Sequence, residues 1–207
     1  MLAEVVRAFP AVTLEIHRGT AGEVSEQLKT GAAELAIAGP LGREWERLEA
    51  WQLFEEGYRL VLNKEHPLAT QGRITFGDLA RQRLLCRPFC EQALDLAAVL
   101  RANGVEQHVN DSALSDGDLT TLLEANLGVS IMPESARLTA SLGSLVVVGL
   151  DLSRSVSLYA VAGRQRSHAA TASVRLMRAC DWSVRRENAK RDDSPTRTAA
   201  MTTPSVH

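Results

Sequence analysis

Cysteine is scarce and odd in number: Cys86, Cys90 and Cys180 are the three in a chain of 207 residues. Three thiols cannot build the paired framework of a small secreted domain, and they suit a reducing compartment. Positive charge is not in excess either. Lysine and arginine number 23 against 25 aspartates and glutamates, a formal net charge of −2, so nothing draws the whole chain to nucleic acid or anionic membrane. No apolar run approaches the roughly 20 residues of a membrane-crossing helix. The opening Met1-Leu2-Ala3-Glu4-Val5 lacks the basic and long apolar regions of an export signal. A cytoplasmic protein without a membrane partner is expected.

Catalytic and metal-binding patterns are missing too. His17, His66, His108, His168 and His207 are scattered, and the cysteines and histidines lack the paired spacing that zinc requires. There is no G-x-S-x-G and no phosphate-cradling glycine loop, and Ser130 near Pro133 is not a nucleophile elbow. The expectation is no metal, no cofactor and no catalysis.

What is present is a globular composition, 45% hydrophobic and 23% charged, with room for one large domain or two small lobes. Leu2, Val5, Val6 and Phe9 fall on one helical face that Pro10 ends. Val12, Leu14 and Ile16 alternate as a strand; Gly19-Thr20 then turns the chain into a helix carrying Val24 and Leu28 inward, which Gly31 stops. Leu35-Ala36-Ile37-Ala38-Gly39 has the pattern of a parallel strand buried on both faces. Tyr58 to Leu62 is another strand, and Pro67 prevents its continuation.

A second α/β unit follows. Leu84-Leu85-Cys86 reads as a strand, Leu94, Ala97 and Leu100 as a helix face, Val105 to Val109 as a strand, and Leu119, Leu122 and Leu123 as the buried side of a helix from about Asp118. After Gly128 come the strand Val129 to Met132, the strands Leu145 to Val148 and Val156 to Val161, and a helix bringing Ala169, Leu176, Met177 and Cys180 to one side. Residues 186–207 are too polar to bury and are expected to form a disordered tail.

Several phrases occur in a telling order: Phe9-Pro10-Ala11-Val12-Thr13-Leu14, Gly19-Thr20, Gly31 to Ile37, His66-Pro67-Leu68-Ala69, Asp78-Leu79-Ala80 and Gly128 to Pro133. In that order, from Met1 to about Arg185, the chain resembles the effector-binding domain of LysR-type transcriptional regulators. Glu34 stands where that family usually has aspartate, and Asn126 where it commonly has glycine; asparagine tolerates the left-handed backbone a glycine would take there. The resemblance implies an α/β, two-lobed fold like that of type 2 periplasmic binding proteins. Lobe I would take residues 1–62 and 143–185, lobe II residues 63–142.

In the family a winged helix-turn-helix, a linker helix and one strand precede the helix with which this chain begins. The first lobe would then lack a strand between Val12 to Ile16 and Leu35 to Gly39, leaving backbone donors and acceptors unmatched. The isolated chain is accordingly expected to be unstable or to aggregate at that open edge. Contact with DNA would come only through the absent domain, and a homo-oligomer, dimer or tetramer, is expected of the full-length form.

The resemblance also places an effector between the lobes, where helix N-termini offer free N–H groups. Thr20 would donate a hydrogen bond, Gly39 and Pro40 follow a buried strand, Pro88 and Phe89 would supply apolar wall, Arg87 would pair an acidic ligand such as an organic acid, and Asp116 and Ser130 face the same region. Simpler roles compete: a helix cap for Thr20, core for Phe89, a solvated surface for Arg87, an N-cap for Asp116. Cys86 and Cys90, at C-x3-C spacing, invite a redox-sensor reading, against which Cys86 reads more simply as a small core residue. A stand-alone solute-binding protein of the same architecture is the alternative function.

Overall fold

A sixteen-residue strand organises the molecule. The computed structural model describes residues 6–7, 9–10, 13–41, 45–106 and 112–182. Within them the elements run α1 (Ala21–Thr30), β1 (Leu35–Ala38), β2 (Leu48–Asn63), a 3-10 turn (Pro67–Thr70), β3 (Arg73–Ile74), α2 (Phe76–Leu79), α3 (Ala93–Ala102), α4 (Asp116–Glu124), β4 (Ser130–Pro133), β5 (Leu142–Val147), β6 (Ser153–Val161) and α5 (His168–Ala179). The strands form one mixed sheet in the order β1-β6-β2-β5-β3, with β4 also on β2.

β2 serves two bodies by changing partners along its length. From Leu48 to Gly57 it runs antiparallel to β6, with an irregularity between Gln52 and Phe54. From Tyr58 to Asn63 it pairs antiparallel with β4 and β5. Tyr58, Leu60 and Leu62 point into a buried cluster with Ile74, Leu79, Leu100, Ile131 and Val147, while the opposite face puts Val61 with Leu119, Leu123 and Met132. On the other side of the changeover, Leu28, Tyr159 and Val161 form one small cluster and Leu158, Val174 and Met177 another. Tyr58, Leu60, Leu62 and Val147 thus share one buried cluster with Leu79, Leu100 and Ile131.

Helix starts follow their local chemistry. Thr20 and Thr75 each accept from the backbone N–H three residues on and are answered by the Glu23 and Asp78 carboxylates, a reciprocal cap at α1 and α2. Ser115 and Ser167 cap α4 and α5. Gly31 ends α1 at φ 86°, and Asn126 takes φ 55°, as its type allows. Glu34 accepts from the Ser167 amide at 2.7 Å and hydroxyl at 2.9 Å, tying β1 to the start of α5.

Some expectations need correction. β1 is antiparallel to β6 rather than parallel, and Ile37 is exposed. Residues 13–20 form no strand, and Leu14 and Ile16 are exposed, because no described strand pairs with them. Leu84 and Cys86 make isolated bridges, to Val129 and Ser112, rather than a strand. Leu94 and Leu176, expected inside, are exposed. Of the opening helix only Val6 and Arg7 are described as helical, while most of the Val105 to Val109 strand and the whole tail from 186 lie outside the described residues.

Candidate functional site

The strand changeover brings charged groups into the seam between the two bodies. Position 56 of β2 shares the inward face of Tyr58, Leu60 and Leu62, yet carries a carboxylate, whose side chain is fully buried. Burying an unpaired charge there would be prohibitive. Glu56 is instead held by the Ser135 amide at 2.6 Å, the Ser135 hydroxyl at 2.9 Å and Arg154 Nε at 2.8 Å. Arg154, opposite Glu56 in the β2–β6 register, turns its Nη1 to a second acid, Glu91, in the turn before α3.

Glu91 thereby joins the bodies. Its carboxylate also lies against Gly39 at the end of β1, where an added Cβ would meet Glu91 Oε1 and push this flexible side-chain end aside. Beside this bond Gln92 donates to the Ser153 carbonyl at 3.0 Å. Burial pushes the Glu91 carboxyl up, but the hydrogen bond and charge of Arg154 outweigh it and hold the group below its usual range. The seam is therefore a carboxylate–guanidinium contact at neutral pH.

At this seam Gln92 Oε1 is buried without a hydrogen bond, and the buried Tyr58 hydroxyl is paired with the weakly bonding Cys90 thiol. Burial, with the Cys90 thiol and Glu91 nearby, raises the Tyr58 hydroxyl far above its normal value; it is a neutral donor. Burial also pushes the Cys90 thiol up, the opposite of an activated thiolate. α3 is distinctive as well: its N-cap, Gln92, makes no side-chain cap. Alongside α3 runs a cavity of about 770 Å³ walled by Arg87, Pro88, Cys90, Glu91, Ala97, Arg101 and Ile131, among others.

The residues expected to line the site are dispersed around this centre. Gly39 abuts Glu91, and Pro40 is exposed next to it. Arg87 and Pro88 line the cavity, but the Arg87 guanidinium is already engaged by Asp116 Oδ1, at 3.1 Å from Nε and 2.8 Å from Nη2, and stacks 5.3 Å from the Phe89 ring. Thr20 caps α1 through its hydroxyl. Asp116 is the first residue of α4, whose cap is Ser115. Ser130 is buried and donates to the Leu85 carbonyl at 2.8 Å. Sequence reasoning missed Glu56, Tyr58, Glu91 and Arg154. The alternation of β2 was the available signal, since it puts Glu56 in register with an apolar face and so demands a cationic partner.

Two α/β bodies joined through long shared strands, with a polar seam between them, define a two-lobed α/β domain of the periplasmic-binding-protein type. The chain belongs to the LysR substrate binding domain family, whose model matches residues 1–180. It is an effector-binding domain of transcription regulators and not an enzyme. Among curated proteins it is 28% identical over 138 residues to the HTH-type transcriptional regulator CysB of Burkholderia cenocepacia, across 65% of this chain and 44% of that protein. It is 26% identical over 132 residues to the hydrogen peroxide-inducible genes activator of Dickeya chrysanthemi, across 63% of this chain and 43% of that protein. The match thus spans less than half of these relatives' length. Among solved structures, the Synechocystis CcmR regulatory domain in complex with 2-PG superposes with a TM-score of 0.71 at 16% identity, over 86% of this chain and 88% of that one. The effector binding domain of QuiR in complex with shikimate gives 0.68 at 19%, over 85% and 88%. Among the described residues no helix is long and apolar enough to cross a membrane.

Proposed function

We propose that this domain binds a small organic acid at the seam between its lobes and converts the change in their closure into a transcriptional response. The carrying observation is the seam's chemistry: a cross-lobe Glu91–Arg154 bond beside the buried, unsatisfied Gln92 Oε1. Such an atom costs about 1–3 kcal/mol, which a ligand's hydrogen bond would offset. Shikimate, the compound in the QuiR complex, is itself a carboxylic acid. Gly39, Pro40, Pro88 and Phe89 remain proposed wall residues; Thr20, Arg87, Asp116 and Ser130 would first have to release an internal hydrogen bond.

In this reading the protein works in the cytoplasm as a dimer or tetramer and reaches DNA through a domain outside these 207 residues. A ligand changes the output only through unequal affinity for the two closures. The test is thermal melting of the chain against a library of metabolites. At a hundred times its dissociation constant an effector adds about 2.7 kcal/mol to stability, and organic acids are expected among the stabilisers. Absence of any stabilising small molecule would defeat the reading.

A further inference from the structure

We propose that Glu91 is a built-in occupant of the effector's carboxylate site, seated on Arg154 until a free acid takes its place. The inference rests on the seam being the effector site and adds the ligand's head group and the element it displaces. Arg154 has two acidic partners of different standing. Glu56 is fully buried and fixed by three hydrogen bonds, whereas Glu91 comes from the second body, sits in the turn before α3 and keeps its side chain partly exposed. One partner is structural and the other can leave.

The place Glu91 occupies is shaped for a carboxylate. Arg154 Nη1 donates from β6, and the side-chain-free Gly39 lets the oxygens approach the end of β1. The Tyr58 hydroxyl, buried on the same face of β2 as Glu56, is partnered by the Cys90 thiol, a weak acceptor, close to Arg154 and Glu91. Tethered to its own backbone, Glu91 satisfies the guanidinium and leaves that phenol to a weak sulfur acceptor. A free carboxylate can accept from both. Exchange of one carboxylate for another leaves no buried charge unpaired, and the displaced Glu91 passes into water. The cavity bordered by Cys90 and Glu91 leaves room for the rest of the acid. Binding therefore breaks the link between the lobes in the act of filling the site, which couples occupancy to closure.

Acetate is the probe, being small enough to replace the Glu91 carboxylate whatever the natural effector's shape. Its affinity is measured by NMR titration for the native chain, Glu91→Ala, Glu91→Gln and Glu91→Ala with Tyr58→Phe, with acetamide and chloride as controls. Removing the occupant frees a site otherwise rarely vacant, so Glu91→Ala should bind acetate at least about tenfold more tightly than the native chain. Glu91→Gln should gain in the same direction, and serves if the alanine variant does not fold. Tyr58→Phe should take back about tenfold while lowering the melting temperature only slightly, because its hydroxyl loses a weak bond to the Cys90 thiol. Equal acetate affinity in native and Glu91 variants, or an equal gain for acetamide, overturns the proposal. In that event a stabilising acid in the metabolite screen would preserve the sensing function without Glu91, and an empty screen would remove both.

Discussion

Tyr58, Leu60 and Leu62, on the second half of β2, belong to a twelve-residue buried cluster, whereas the described clusters along its first half hold three buried residues each. The difference lies in what flanks the strand. In the second body β4 and β5 pair with β2 and helices α2, α3 and α4 pack on it, so alternate side chains find a core on both faces. In the first body β1 ends the sheet among the described residues, with Ile37 exposed, and Leu14 and Ile16 lie exposed without a described strand partner. Apolar alternation makes a strand only when a neighbouring strand takes its hydrogen bonds.

The largest expected effect tests the seam that joins the two bodies. Glu56→Ala leaves Arg154 without its buried partner and should cost about 3–5 kcal/mol in urea unfolding. Leu60→Ala, inside the larger cluster, should cost about 2–5 kcal/mol, and Ile37→Ala, on the exposed edge, less than about 1. Similar losses at 60 and 37 would show that the contrast between the bodies is false. Removing the caps, Thr75→Ala in the second body and Ser167→Ala in the first, should each cost about 1 kcal/mol by the same measurement.

Smaller effects sharpen the comparison. Because the folded Glu91 pKa lies below its unfolded value, the stability its bond contributes is complete above the ordinary carboxylate pKa and is lost as pH falls through the depressed folded value. The melting-temperature difference between the native chain and Glu91→Gln should shrink in that acid window and stay constant near neutrality. Ile37→Lys should leave unfolding within about 0.5 kcal/mol yet slow aggregation seen by light scattering, because a charge on an open edge opposes edge-to-edge pairing.

Much of the fold was legible because its signals are local. Thr20 with Glu23, Gly31, and the apolar runs of β2 and β6 each announce an element through a cap, a left-handed glycine or alternation. The direction of β1 was not, since a short apolar run says nothing about its partner, and antiparallel pairing with β6 joins residues about 120 positions apart. The site was less legible for the same reason. Arg87 was noticed beside a proline and an aromatic, yet its partner Asp116 lies 29 residues away. Arg154 looks like an ordinary strand-start arginine until Glu56 and Glu91, 98 and 63 residues distant, converge on it.

Hydrogen–deuterium exchange with and without an organic acid drawn from the metabolite screen tests most directly that ligand occupies the seam. Protection is expected at Gly39 and around Arg154, with faster exchange in the turn holding Cys90, Glu91 and Gln92 as its link is released. Protection confined to one body, with the seam unchanged, would contradict the account.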